Sequence, residues 1–214
     1  RYPLVTGVQT CALPILLEKP LTNNLPDAQD LVALAQQHGT SLHVGHIERF
    51  NGAIQELKKI IHEPLLIECH RMGPFVARVA GDSVVLDLMI HDIDLVLNIV
   101  NSPVVSVAAQ GSKVHSSSCD IAHAQIKFAN GTVASIVSSR ASQIKKRSMA
   151  VHQKNEYLHL DFTTQDISIH RHASSSVHVG NDQIKYRQEG TVEHLFVFKD
   201  NPLKLEIEHF LKSV

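Results

Sequence analysis

The sequence predicts an α/β (α+β) fold in which a strand–helix–strand unit precedes a longer, strand-rich region. The first observation behind this prediction is the order strand, helix, strand over residues 16–46, which is typical of a parallel sheet. The second is the change of pattern from Val104 onward, where short strands are separated by turn signals. Together these observations indicate two structural units, with a boundary near residue 46.

The first unit is expected to contain two strands and one helix. Residues 16–17 read as the end of a buried strand, which Pro20 interrupts because proline cannot donate to a central ladder. Apolar residues then recur at helical spacing over 25–35, with a proline in the first turn. Gly39 marks the end of that helix, and the segment 41–45 is the next short strand.

Further helices are expected on both sides of the strand-rich region. A helix over 51–61 places its apolar residues on one face, whereas the helix over 83–100 is apolar nearly all round and is therefore expected to be buried. Between them, residues 64–69 alternate as a strand. A last helix is expected over 202–214.

The strand-rich region carries one strong turn signal. Asn130-Gly131 lies between two apolar segments, and this dipeptide favours a β-hairpin. The further strands that the pattern predicts lie near 133–139, 148–153, 156–162, 166–171 and 183–187.

The composition excludes several classes of protein. Lys and Arg number 20 against 21 Asp and Glu, so the formal net charge is −1, and 43% of the residues are hydrophobic. A disordered chain would lack apolar residues, and a strongly basic nucleic-acid binder would carry a positive excess. The basic run 145–147 is interpreted as a solvated strand end or loop. No apolar run reaches the roughly 18 residues of a membrane span.

The cysteines indicate the redox environment of the protein, and the histidines indicate whether it could bind a metal. Cys11, Cys69 and Cys119 form no disulfide framework, which favours a reduced, cytoplasmic protein. The 15 histidines are scattered, and no pair has a partner set that indicates zinc. We therefore expect no metal site.

The first fifteen residues are interpreted as a non-native scar. The segment VTGVQTCALPI at 5–15 matches the translation of a common sequencing-library adapter. We therefore exclude residues 1–15 from the fold and expect the natural chain to begin further upstream. The alternative is a genuine strand and loop.

Asp87 and His91 form the first candidate constellation. They stand four residues apart on a predicted helix, so both side chains leave the same face. A carboxylate one turn before an imidazole can hold its tautomer and raise its pKa, and histidine is the natural proton carrier near neutrality. The alternative is a structural hydrogen bond inside the core. Asp92 and Asp94 are expected to cap, to pair or to face the helix surface.

The second candidate is Glu18-Lys19-Pro20 at the end of a strand. Ligands of open α/β sheets bind beyond the carboxyl ends of the strands, where a lysine can contact an oxyanion or a cofactor amide. Pro20 fixes the turn that aims this lysine. A lysine before a proline is, however, also typical of a solvated loop.

Other polar residues are weaker candidates for ligand binding. His46, Arg49 and Asn51 crowd a strand-to-helix junction, which is a common ligand edge, although Asn51 can be only a helix N-cap. Arg71 and Arg78, near Gly73-Pro74, can bind anions or simply lie exposed.

The segments LLEKPL at 16–21, VGHIERFN at 44–51 and VVLDLMIHDIDLVLNIV at 84–100 together resemble the Gfo/Idh/MocA family of NAD(P)-dependent sugar oxidoreductases. The resemblance covers nearly all of the chain after residue 15. The combination of E-K-P with D-x-x-x-H-D-x-D is more specific than either motif alone. The run from Arg71 to Val96 is similar to family members that act on nucleotide sugars.

The resemblance implies the architecture and the partners. Residues 16–46 would be the C-terminal remnant of a dinucleotide-binding Rossmann domain. Residues 47–214 would be an α/β domain with a large, mostly antiparallel sheet that binds substrate and forms the face of a homo-oligomer. The cofactor would be NAD or NADP. No G-x-G-x-x-G phosphate loop exists in the sequence, so we expect this chain alone to bind NAD poorly and to be inactive.

The resemblance also implies roles for individual residues. Lys19 matches the family's active-site lysine, and Asp87 and His91 match the partners beside the substrate hydroxyl. The cofactor-binding residues would be Glu18, Lys19, Pro20 and His46, and the substrate-binding residues Arg49, Asn51 and Arg71.

The expected activity is hydride transfer from a sugar or nucleotide-sugar secondary hydroxyl to NAD(P). His91 would be the base, oriented by Asp87, and Lys19 would stabilise the alkoxide. Lys19 as the base is the alternative assignment. The rival functions are a dehydratase, isomerase or glycosidase-like relative, a ligand sensor without catalysis, and a dimerisation module.

Overall fold

The computed structural model describes residues 13–77, 81–179 and 184–214, with the backbone alone over 172–189. The predicted scar therefore falls almost wholly outside the described residues, as do Cys11 and Arg78.

The first unit is a strand–helix–strand element, as predicted. Strand β1 (Ile15–Glu18) pairs in parallel with β2 (Leu42–Gly45), and helix α1 (Leu25–Gln37) connects them. The Asn24 side chain caps α1 by accepting a hydrogen bond of 2.9 Å from the Asp27 main-chain N–H. The strand begins one residue before the boundary that the sequence predicted.

The prediction of a buried strand at residues 16–17 is wrong. Leu17 is 37% exposed, and no side chain of α1 is buried among the described residues. The physical reason is the width of the sheet, because β2 is the only described strand beside β1. Two strands and one helix are too few to cover both faces of an apolar segment.

The helix predicted over 51–61 is confirmed, whereas the helix predicted over 83–100 is interrupted. A 3₁₀ turn (Ile47–Phe50) precedes α2 (Gly52–Ile60). The predicted helix over 83–100 divides into a π-helical turn (Val85–Met89) and the α-helix α3 (Ile90–Val100). Hydropathy cannot reveal such a turn, because a π-helical segment keeps much the same apolar composition.

A large mixed sheet forms the body of the second unit, which confirms the mostly antiparallel architecture. Within the described residues its strand order is β10-β9-β8-β7-β3-β6-β5-β4, and only β3 and β6 pair in parallel. The strands are β3 (Leu66–Met72), β4 (Val104–Ser112), β5 (Ile121–Phe128), β6 (Val133–Ser139), β7 (Lys146–His152), β8 (Glu156–Asp161), β9 (Asp166–Val179) and β10 (Ile184–Leu195).

The predicted hairpin at Asn130-Gly131 is confirmed. Gly131 adopts a positive φ of 92°, and the Phe128 N–H donates to the Thr132 carbonyl at 2.9 Å. The last two strands are longer than predicted, since β9 continues to Val179 and β10 to Leu195. Their extensions are rich in Ser, His and charged residues, so the pairing is carried by main-chain hydrogen bonds rather than by an apolar pattern.

One face of the sheet packs against α2 and α3 and forms the core. Leu57, Ile67, Leu95, Ile136 and Leu158 are fully buried there. The last helix, α4 (Pro202–Ser213), returns to the 3₁₀ turn, where the His209 ring lies 5.4 Å from that of Phe50 and 5.7 Å from that of His43. No helix in the described part of the chain is long and apolar enough to cross a membrane.

Candidate active site

Lys19 joins the two units of the molecule. It follows directly after β1, and its Nζ donates a hydrogen bond of 2.5 Å to the main-chain carbonyl of Asp87, 68 positions further along the chain. The same Nζ lies 3.6 Å from Oδ1 of Asp87, and the Lys19 side chain is only 16% exposed. Lys19 is therefore held in a specific place rather than solvated in a loop.

Asp87 lies in the π-helical turn that precedes α3. Such turns widen the backbone and are common at functional sites. Here the turn leaves the Asp87 carbonyl available to Lys19. Both the carbonyl and the carboxylate of Asp87 thus face the lysine.

His91 follows in the first turn of α3, and its ring is mostly buried. Its Nδ1 is buried and has no hydrogen-bond partner among the described residues. Burial, together with the positive charges of Arg71, Lys19, His46 and Arg147, lowers the pKa of His91 to about 3. The imidazole is therefore neutral at pH 7.

The expected contact between Asp87 and His91 is not made in the described residues, where the carboxylate of Asp87 faces Lys19 instead. The reason is electrostatic. A carboxylate gains more from a charged amine than from an imidazole that burial keeps neutral. Lys19 and His91 nevertheless lie close enough for the lysine charge to act on the imidazole pKa.

His46 follows β2 and is the second histidine of the site. Its Nε2 lies 3.6 Å from Oδ1 of Asp94, and its buried Nδ1 has no partner among the described residues. Burial lowers its pKa, against the opposing effect of Asp94. Arg49 holds Asp94 with two hydrogen bonds, of 2.7 and 2.5 Å. Asp94 thus pairs, which is one of the three roles that the sequence left open for it.

Arg71 belongs to a buried ion cluster beneath the site. It donates to both carboxylate oxygens of Asp92, at 3.0 and 2.8 Å, and to Oε1 of Glu48 at 2.7 Å. Arg71 is 2% exposed and Asp92 is 1% exposed. The sequence analysis did not predict that Glu48 would bind Arg71. The alternating pattern of β3 could have indicated that Arg71 is buried, because it places Arg71 on the core face.

Asn51 takes the structural role that was one of its two interpretations. Its side-chain oxygen accepts from the Ala53 N–H at 3.0 Å and so caps α2, and its amide donates to the Phe162 carbonyl at 3.4 Å. These contacts occupy the side chain. Its role in substrate binding stays a prediction, as does that of Arg71.

Glu18, Lys19, Pro20 and His46, the residues expected to bind a dinucleotide, lie at the carboxyl ends of the parallel strands β1 and β2. Glu18 ends β1 opposite Gly45, and its carboxylate lies against that glycine. The Lys19–Pro20 peptide bond is cis. His46 and His91 each have a buried Nδ1 without a hydrogen-bond partner among the described residues. No His, Cys, Asp and Glu cluster that could hold a metal occurs among the described residues.

The fold defines a two-part α/β protein. Its candidate site lies where the edge of the parallel strand pair, which carries Lys19, meets the helical segment of the large-sheet unit that carries Asp87 and His91. Residues 52–158, half of the chain, match the GFO/IDH/MocA C-terminal domain. The chain belongs to the GFO/IDH/MocA family.

The relatives include characterised dehydrogenases. The chain is 32% identical over 200 residues to UDP-N-acetylglucosamine 3-dehydrogenase from Acidithiobacillus ferrooxidans, a match that covers 93% of this chain and 62% of that protein. The solved structure of that enzyme, GnnA, superposes with a TM-score of 0.80 over 94% of this chain and 62% of the other. Myo-inositol dehydrogenase Hyg17 from Streptomyces leeuwenhoekii is 31% identical over 124 residues, covering 51% of this chain and 36% of that protein.

Proposed function

We propose that this chain is the substrate-binding part of an NAD(P)-dependent dehydrogenase that oxidises a secondary hydroxyl of a sugar nucleotide. The observation that carries the proposal is the convergence of Lys19, Asp87 and His91 from two separate elements of the fold. An amine, a carboxylate and a neutral imidazole around one point are the groups that alcohol oxidation requires.

His91 is the proposed base. Loss of hydride from the carbon leaves a carbonyl only if the hydroxyl proton departs as well. The neutral ring can accept the hydrogen bond of the hydroxyl, and then its proton, at a ring nitrogen. The products are a ketone, the reduced nicotinamide and one proton.

Lys19 is proposed to stabilise the oxygen of the reacting alcohol. Its Nζ is fixed by the Asp87 carbonyl, and an ammonium so placed stabilises negative charge that develops on the oxygen. Asp87 positions this amine, rather than the imidazole as the sequence suggested. Lys19 can also act as the base if it delivers its own proton to Asp87, and this remains the alternative assignment.

Residues 16–46 are proposed to belong to the dinucleotide-binding domain. The parallel strand pair and the uncovered apolar side chains of α1 support this, because a larger parallel sheet would cover them. The edge of this sheet would hold the nicotinamide, which would accept the hydride. Glu18, Pro20 and His46 are the proposed contacts, and tight binding of NAD to this chain alone would contradict the assignment.

The proposed substrate class rests on the relatives. The identity of 32% to the UDP-N-acetylglucosamine enzyme extends over both units, whereas the match to the inositol enzyme covers about half of the chain. We further propose a cytoplasmic homo-oligomer in which copies meet through the large sheet. The whole of β4 is exposed in the single chain, which supports such a contact.

The activity test joins this chain to a dinucleotide-binding domain that carries a Gly-rich phosphate loop. We expect reduction of NAD or NADP with UDP-N-acetylglucosamine as substrate. His91→Ala should lower kcat about 100-fold or more, because a positioned base contributes 10²–10⁴-fold, with a smaller change in KM. An unchanged kcat would remove His91 from this role, and turnover without net reduction of NAD would favour an isomerase or dehydratase.

A further inference from the structure

A cavity of about 290 Å³ opens beside Asp87. It lies between the end of β3, the π-helical turn and the start of β7. Its wall contains four basic side chains, Arg71, Arg140, Lys145 and Arg147. Asp87 also lines it, so the cavity and the candidate active site share this residue.

Two of these basic residues already neutralise buried carboxylates. Arg71 is bound to Asp92, and the Nε of Arg140 donates to Asp120 at 2.6 Å. Both guanidinium groups are nearly inaccessible to solvent. Their charges are therefore committed to the protein itself.

Among the described residues, the other two basic residues, Lys145 and Arg147, are not paired with carboxylates in this way. Lys145 and Arg147 make no hydrogen bond or ion pair of their own with a carboxylate in the described part of the chain. Arg147 stands directly opposite Arg71 in the β3–β7 pair. The Arg71 charge is already offset by Asp92 and Glu48, so Arg147 is the cation that an anion in the cavity can bind.

We propose that Lys145 and Arg147 bind the diphosphate of a nucleoside-diphosphate sugar. This inference rests on the proposed function and deepens it by assigning the site that selects a nucleotide sugar over a free sugar. Guanidinium groups match phosphate oxygens with paired hydrogen bonds, and lysine adds a point charge.

The size and position of the cavity agree with this ligand. Whole small-molecule sites occupy about 300–1,000 Å³, so a cavity of about 290 Å³ accommodates the diphosphate rather than the entire molecule. Asp87 lines the cavity and also contacts Lys19. A sugar attached to the diphosphate can therefore extend past Asp87 towards Lys19 and His91.

Anion binding would also act on His91. The charge of Arg147 contributes to the low pKa of the imidazole, together with burial and with the charges of Arg71, Lys19 and His46. A bound diphosphate offsets that positive charge and so favours the imidazolium that forms when the ring accepts a proton. The substrate's own phosphates would thereby make the base stronger.

The test is a titration of this chain with UDP, UMP, uridine and inorganic pyrophosphate, followed by NMR of backbone amides and histidine rings. We expect UDP and pyrophosphate to shift the amides around residues 72–74 and 145–147, and uridine to leave them unchanged. Arg147→Gln should weaken UDP binding at least about tenfold, because it removes a charge-assisted hydrogen bond to the phosphate. Lys145→Gln, at an exposed position that folding tolerates, should weaken it less.

Lys127→Gln is the matched control, because it removes an exposed lysine on β5 outside the cavity. Equal binding of UDP and uridine would overturn the subsite, as would wild-type UDP affinity in both Arg147→Gln and Lys145→Gln. Failure of the proposed function looks different. In that case UDP binds as predicted, but the chain joined to a dinucleotide-binding domain reduces no NAD(P).

Discussion

The two units of this molecule contrast in how their apolar residues are used. In the β1–α1–β2 unit no side chain of the helix is buried, and Leu34 is 51% exposed. In the sheet unit, α2 and α3 pack on one face of the large sheet, and residues such as Leu158 have no exposed surface. The sheet unit therefore has its own core, whereas the first unit does not.

This difference bears on the active site, since each unit supplies part of it. His91 comes from the well-packed helix α3, next to the Arg71–Asp92 cluster. Lys19 comes from the weakly packed strand β1 and is held in place by its bonds to Asp87. The histidine side of the site is preorganised by the core, and the lysine side depends on a few polar contacts.

The largest expected effect comes from the buried ion cluster of the sheet unit. Arg71→Met leaves Asp92 and Glu48 without their cation, and breaking such a buried pair costs about 3–5 kcal/mol. Urea unfolding followed by circular dichroism measures the loss. Arg49→Met is the control, because Arg49 is 41% exposed and its pair with Asp94 should contribute less than about 1 kcal/mol. Equal losses would contradict the contrast in burial.

Apolar truncation tests the two units directly. Leu158→Ala should lower the free energy of unfolding by about 2–5 kcal/mol, because it creates a cavity in a closed core. Leu34→Ala in α1 should change it by no more than about 0.5 kcal/mol, since half of that side chain is already in water. A large effect of Leu34→Ala would show that the first unit packs more tightly than the exposure of Leu34 indicates.

Acid should destabilise the sheet unit through Asp120. Burial by itself would raise the pKa of this carboxyl, but main-chain N–H groups of Val114 and His115 and the guanidinium of Arg140 outweigh it and hold the pKa well below its usual range. A depressed pKa adds stability that is present above the unfolded value of about 3.9 and is lost as the pH falls below it. The difference in the free energy of unfolding between wild type and Asp120→Asn, measured by urea unfolding at several pH values, should therefore become smaller below about pH 4. A difference that does not change with pH would contradict the low pKa of Asp120.

Much of the fold was predictable, because it follows from local patterns. The parallel unit, the Asn130-Gly131 hairpin and the helix cap at Asn51 each have a short-range signal in the sequence. The exposure of β1 and the length of β9 depend on which strands lie beside them, and that is long-range information. Periodicity alone could not supply it.

The candidate site was predicted as a set of residues but not as a set of contacts. The resemblance brought Lys19, Asp87 and His91 to attention, and the structure places them together. Sequence spacing suggested that Asp87 pairs with His91. The pairing with Lys19 depends on where β1 ends relative to α3, which spacing within one helix cannot show.

The central claim is that Lys19 and His91 share one site, and a histidine pKa tests it most directly. NMR titration of ring-labelled protein should give a pKa for His91 well below the usual value, near 3, chiefly because of burial. In Lys19→Met the loss of a nearby positive charge should raise that pKa, whereas Lys154→Met should leave it unchanged. The same low pKa in Lys19→Met as in wild type would mean that the lysine does not face the imidazole, and the proposed dehydrogenase site would be wrong.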